Sequence, residues 1–190
     1  MSDSSASTKA KVHVSHHWIV IVPGDGFDTD PPGHVPNGLV AARRDAVVIL
    51  TGIHSGVVEV EVRLRPFPPN AAASGWEEVE ELEFVTTAGD MELWGFMETE
   101  PNGLPGLTPQ GPGRYGLRVH TRGRAINPTA VPRIPFEHYL LDIWPIELGI
   151  DLAPSTEETG DQSSSPVDAI RAWARANPPQ TERGRLSGSR

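Results

Sequence analysis

The chain has 190 residues, enough for one domain with a sizeable core plus tails, and it carries 19 Gly, 19 Pro and no Cys. Without Cys it can form neither disulfides nor thiolate zinc sites, and a formal net charge of -9 argues against nucleic acid as its partner. The longest apolar runs, such as residues 46–50, are too short to span a bilayer, and the first residues lack the apolar stretch of a secretory signal, so a soluble cytoplasmic protein with no membrane partner is expected.

The Pro and Gly residues punctuate short strands and turns, which leans the composition to an all-β fold. Residues 1–10 are Ser-rich and read as a disordered N-terminal tail. Residues 11–22, KVHVSHHWIVIV, alternate well and predict one strand with Val12, Val14, His16, Trp18, Val20 and Val22 on one face. Residues 23–38 form a long turn-rich loop containing Asp25, Asp28 and Asp30. A calcium loop needs further oxygen ligands and a closing Glu at a fixed distance, and that Glu is absent, so these are read as turn aspartates. The loop's length still makes it a candidate binding element.

Residues 46–53 read as a buried strand. A Gly-containing turn leads to a second strand over 57–65, with Val58, Val60, Val62 and Leu64 inward and Glu59, Glu61, Arg63 and Arg65 outward. Residues 76–85, WEEVEELEFV, fit both a helical stripe and a strand; the β-favouring Thr86 and Thr87 that follow decide for a strand. A strand over 91–97 returns, with Met91, Leu93 and Met97 on one face and Trp94 and Phe96 on the other. The clearest strand lies within 111–124: Tyr115, Leu117 and Val119 face inward, and Arg114, Arg118, His120 and Arg122 face outward. The last strand spans 136–146, where Trp144-Pro145 is expected to end the globular part, because Pro cannot continue a central ladder.

Beyond residue 148 the composition changes. Residues 149–165 read as an acidic Ser-rich linker and 166–177 as an amphipathic helix, with Ser165 as its cap and Val167, Ile170, Trp173 and Ala174 as its stripe. That helix either docks on the sheet or binds a partner. Residues 178–190 read as a disordered basic tail. The expected architecture is an antiparallel β-sandwich of seven to eight strands over residues 11–148, followed by a short C-terminal helix. Tyr115, in a strand that follows a turn, resembles the corner tyrosine of such sandwiches.

Charge is unevenly distributed. Residues 77–100 hold nine acids and no Lys or Arg, and residues 114–133 hold five Arg and no acid. Two strands of opposite sign can pair across a sheet or across a homodimer. Alternatively, Glu78, Glu80, Glu81, Glu83, Asp90 and Glu92 form an acidic docking surface for a basic protein.

Signatures of catalysis are missing. There is no G-x-S-x-G nucleophile motif and no phosphate-cradling glycine loop. His13, His16 and His17 lie close together, but no second cluster of ligand spacing accompanies them, so no metal is expected. His120, His138 and Asp142 are the residues a hydrolase would use. Trp18, Trp94 and the 23–38 loop are those a small-ligand or carbohydrate-binding protein would use. Neither set forms a recognisable motif, and no cofactor is expected.

The order of features is informative. His17-Trp18 on the first strand is followed by the hairpin strands 47–51 and 57–62 and by Trp76-Glu77-Glu78-Val79. Gly113-x-Tyr115-x-Leu117-x-Val119-His120 comes next, and Glu137-His138-Tyr139-Leu140-Leu141-x-x-Trp144-Pro145 closes the series. This order resembles a widespread class of uncharacterised actinobacterial proteins. More distantly, it is similar to the competence-associated nuclease-inhibitor (competence protein J) family. The resemblance implies a β-sandwich that is not an enzyme and that binds and blocks a partner protein such as a nuclease toxin. It transfers no functional residues.

Overall fold

The computed structural model describes residues 7–24, 34–95 and 102–149. Most of the Asp25–Asp30 loop, the end of the strand predicted over 91–97, and the linker, helix and tail expected beyond Gly149 lie outside the described residues. Within them there are nine strands and no helix: β1 (Ser7–Ser15), β2 (Trp18–Pro23), β3 (Val40–Arg43), β4 (Ala46–Leu50), β5 (Ser55–Leu64), β6 (Glu78–Thr86), β7 (Met91–Gly95), β8 (Gly113–Arg122) and β9 (His138–Leu148). β1 begins at Ser7, inside the stretch read as a tail. Of the predicted strand 76–85, residues 78–85 are strand within β6, as the β-favouring end predicts, while Trp76 and Glu77 precede it.

Hydrogen bonding joins all nine strands into one sheet of order β3-β4-β2-β1-β5-β9-β8-β6, with β7 on the second side of β2. Its ends, β3 and β6, come back towards each other, and the Asp45 N–H donates to the Val85 carbonyl at 2.9 Å. The result is a nearly closed, barrel-like sheet rather than the two separate sheets expected. The antiparallel expectation fails at one seam: β5 and β9 run parallel, from Glu59↔His138 to Leu64↔Ile143.

The predicted strand 11–22 is two strands. The chain reverses at His16 (φ 58°) and His17 (φ 68°), a two-residue turn with both central residues left-handed. Only Ser15↔Trp18 pairs across it. β1 then follows β5, while β2 lies between β4 and β7. Such a turn places Trp18 on the same side as Ser15, so the inward parity switches. Val12 and Val14 enter the main core together with Ile19 and Ile21. Trp18, Val20 and Val22 instead join Val48 in a second apolar cluster on the opposite side of the sheet.

The main core gathers Val58, Val60 and Val62 from β5 and Leu117 and Val119 from β8, as their alternation predicts, together with Tyr139, Leu141 and Ile143 from β9. Burying one such aliphatic side chain is worth about 1.5–3 kcal/mol. Tyr115 stacks on Phe84 of β6 with ring centroids 5.7 Å apart, and its hydroxyl donates to the Gly111 carbonyl at 2.6 Å, the bond a corner tyrosine makes. β9 does not stop at Pro145. A bulge between Arg114 and Tyr115 shifts the register so that Tyr115 faces Pro145 and Arg114 faces Glu147. β5 reaches only Ile143, so Pro145 sits where β9 has one neighbour and a missing N–H costs least.

Candidate binding surface

β6 ends the strand order and has β8 as its ladder partner, in register from Glu78↔Thr121 to Thr86↔Gly113. That register sets the acidic segment against the arginine segment. Arg118 meets Glu81 at 2.7 Å, Arg114 meets Glu83 at 3.3 Å, and Arg124 meets Glu78 at 2.6 Å. The pairing of opposite charges across the sheet is therefore a feature of the fold. The three carboxylate side chains remain 46% (Glu78), 47% (Glu81) and 58% (Glu83) exposed.

The six predicted acidic residues do not share one face. Glu80 accepts a bond from Asn37 Nδ2 at 3.2 Å, beside β3. Asp90 is exposed just before β7, and Glu92, on β7, accepts the Trp94 indole N–H at 3.1 Å. Strand alternation puts Glu81 and Glu83 on the outer face of β6 with Arg114 and Arg118, and Glu78 and Glu80 on the face of Leu82 and Phe84, towards Asn37 and Gly38; Asp90 and Glu92 lie apart from both pairs.

The seam between β3 and β6 is bridged by side chains. At one end the Asp45 carboxylate accepts both the Thr87 N–H (2.5 Å) and the Thr87 hydroxyl (2.7 Å). At the other end Arg124 donates to the Gly38 carbonyl at 2.9 Å. Between them an open cleft of about 300 Å³ is lined by Arg43, Arg44, Phe84, Val85 and Arg114. Since the Val85 carbonyl points away from β8, strand alternation turns the backbone groups of Glu83, Glu81 and Val79 to the same free edge.

The residues a hydrolase would use are placed otherwise. His120 is fully buried under the 65–77 loop, and its Nε2 accepts the Ala73 N–H at 3.1 Å. Its Nδ1 lies 3.4 Å from the Leu140 carbonyl and 3.9 Å from Asp142 Oδ2. Asp142 is held by Arg65. Burial lowers the His120 pKa, and the Asp142 carboxylate opposes that only in part. A neutral ring whose acceptor nitrogen is taken by a backbone amide is a latch for the loop; it has no lone pair left to abstract a proton. His138 pairs instead with Glu59, at 3.1 Å.

The ring of His54 stands 5.1 Å from those of both His16 and His17, a grouping that sequence spacing does not reveal. Burial is the main cause lowering the pKa of His16 and of His17, and the neighbouring imidazoles add to it. Among the described residues no group of His, Asp and Glu is arranged to hold a metal ion. Trp18 is buried, and Trp94 packs against the same apolar cluster, so neither stands as an open platform for a sugar.

Sequence reading also passed over Glu137, which is 1% exposed. Its carboxylate accepts the N–H groups of Gly52 (3.0 Å) and Ile53 (2.6 Å) and the Tyr139 hydroxyl (2.7 Å). The arrangement anchors the 51–54 turn and fixes the start of β9.

No protein-family model matches the chain, and neither does any curated protein. Among solved structures the fold is similar to that of ComJ from Bacillus subtilis, described as an inhibitor of the DNA-degrading activity of NucA. The match has 14% identity and a TM-score of 0.53, over 75% of this chain and 98% of that one. A protein described as crocagin biosynthetic gene J aligns at 15% identity and a TM-score of 0.44, over 74% of this chain and 98% of that one. Of the two resemblances seen in the sequence, the one to the nuclease-inhibitor family thus has a structural counterpart, and the likeness is one of fold. No helix among the described residues is long and apolar enough to cross a membrane.

Proposed function

We propose that the chain is a non-enzymatic, inhibitor-type protein that blocks a basic partner protein, such as a nuclease, through the carboxylates of β6. The observation that carries the reading is the pair Glu81 and Glu83 on the outer face of edge strand β6, each about half exposed. Their arginine partners do not cancel this role. An exposed ion pair is worth only about 0–1 kcal/mol, so a partner's guanidinium can exchange with that of Arg114 or Arg118 at small cost. The net charge of -9 favours the approach of a positively charged protein. The fold likeness to ComJ supports the inhibitor class, and the engaged nitrogens of His120 support the absence of hydrolysis.

The test is a set of DNA-degradation assays with basic nucleases, followed by association kinetics with any nuclease that is blocked. The double variant Glu81→Arg/Glu83→Arg should slow association about tenfold, and raising the salt should slow that of the unmodified protein. Rates indifferent to both changes would sink the proposal.

A further inference from the structure

The most exposed aliphatic side chains of the described residues concentrate in one loop. Residues 123–136 connect β8 to β9 and carry Ile126, Val131 and Ile134 at 67%, 72% and 81% exposure. Water-facing apolar residues this close together mark an interaction site more often than single ones do.

The loop is also held in shape. The Gly123 N–H donates to Glu77 Oε2 at 2.9 Å, and the Ile126 N–H to the Gly123 carbonyl at 3.2 Å. The Ala130 N–H donates to the Asn127 carbonyl at 3.1 Å, and the Val57 N–H to the Pro132 carbonyl at 3.0 Å. Pro128, Pro132 and Pro135 each fix a backbone φ. The loop lies so near β5 that a Cβ on Gly56 (φ 132°) would fall 2.6 Å from Pro132 Cδ. A segment ordered before binding loses little entropy on binding, which is what a docking loop requires.

Its charge indicates what it meets. Residues 123–136 contain no acid. Arg124 is engaged by Glu78, whereas Arg133, exposed between Val131 and Ile134, has no ion-pair partner among the described residues. We propose that loop 123–136 is a preformed docking element that places Ile126, Val131 and Ile134 in an apolar groove of a partner protein, with Arg133 meeting a carboxylate on the groove's rim. A local acidic rim is compatible with a partner of net positive charge. The proposal rests on the protein-binding reading above but not on the β6 carboxylates.

The probe is a phage-displayed random-peptide library panned against the full chain. Apolar peptides flanked by Asp or Glu should be enriched. Ile134→Asp and Val131→Asp should each weaken the selected peptides about thirtyfold, the loss expected when a buried anchor is removed. Arg133→Glu should weaken the acidic peptides selectively. These side chains already face water, so the thermal midpoint should not move. Phe67→Asp, on another loop at 76% exposure, should leave binding unchanged. Peptides that ignore all the loop variants, or no enrichment, would overturn the proposal. So would loop variants that abolish self-association of the chain in ultracentrifugation, because the occupant would then be a second copy. Glu81→Arg/Glu83→Arg should leave peptide binding intact, so failure of the acidic-face reading and failure of the loop proposal show in different variants.

Discussion

Replacing Glu137 should be among the most damaging single changes in this fold. Its carboxylate is almost wholly buried and accepts from three donors: Gly52 N–H, Ile53 N–H and the Tyr139 hydroxyl. A hydrogen bond to a charged group is worth about 1.5–3 kcal/mol, so three bonds amount to roughly 4.5–9 kcal/mol. Against this stands the desolvation of the carboxylate, several kcal/mol that Glu137→Ala removes. The Ala variant nevertheless leaves two backbone donors and a hydroxyl buried without an acceptor. We expect a net loss of about 3 kcal/mol, a large part of the 5–15 kcal/mol typical of a domain. Glu137→Gln should cost nearly as much, because its NH2 group turns a donor towards donors. Tyr139→Phe removes only one bond and should cost about 1 kcal/mol. The Tyr139 hydroxyl is held far above its usual pKa, first by burial and then by the Glu137 charge, so it stays a donor at any pH the fold tolerates. Urea unfolding is the assay, read as a shift in midpoint at constant slope. A Glu137→Ala variant within about 1 kcal/mol of the unmodified protein would refute the reasoning.

Other variants test separate links. His120 has its folded pKa lowered from 6.5, mainly by burial, as do His16 and His17. The unfolded chain therefore binds protons that the folded chain does not, and stability present above pH 6.5 should fall as the pH drops below it. His120→Gln keeps an acceptor for the Ala73 N–H and should flatten that slope in thermal melts; an unchanged slope would clear His120 of the effect. Arg118→Ala breaks an exposed pair with Glu81 and a bond to the Pro69 carbonyl, and should cost about 1 kcal/mol in urea. Gly116→Ala would place a Cβ 2.1 Å from the Trp144 ring, and should destabilise by about 1–3 kcal/mol unless that buried ring can move. Asp45→Ala removes the clip on Thr87 and should speed hydrogen exchange at the β3–β6 seam before it changes exchange in β8 or β9.

The parts of the fold legible in the sequence were those where alternation and turn residues agree. β5 and β8 carry a period of two, and the structure buries their expected side; His120, expected outward on β8, is buried as well because the 65–77 loop covers it, and β9 is buried on both faces from Tyr139 to Trp144. β3 escaped notice because Val40–Arg43 is only four residues long and joins β4 through Arg44-Asp45, a pair lacking the glycine that advertises a hairpin. The His16-His17 turn was hidden for a related reason. Apolar alternation continues through it, and His-His lacks the Asn-Gly or Asp-Gly signal of a two-residue hairpin turn, although both histidines adopt left-handed angles here. Missing one two-residue turn assigned Trp18, Val20 and Val22 to the wrong side, because a change of parity inverts every later side chain of a strand.

The candidate binding surface was half legible for a physical reason of its own. Segregated charge is visible in sequence, but whether it points at a partner or at a neighbouring strand depends on pairing that spans more than thirty residues, as Arg114–Glu83 and Arg118–Glu81 do. The β6–β8 register settles that: the arginine face is first of all the complement of the acidic one. What the register leaves unmatched are places where, among the described residues, the expected partner strand or charge is absent. These are the free backbone edge of Glu81 and Glu83, the cleft beside Arg43 and Arg44, and Arg133 on its aliphatic loop. A sheet that balances most of its charges internally has little left with which to recognise a partner. On the protein-binding reading proposed above, specificity would rest on these unmatched groups rather than on the net charge, which would govern how fast a partner arrives.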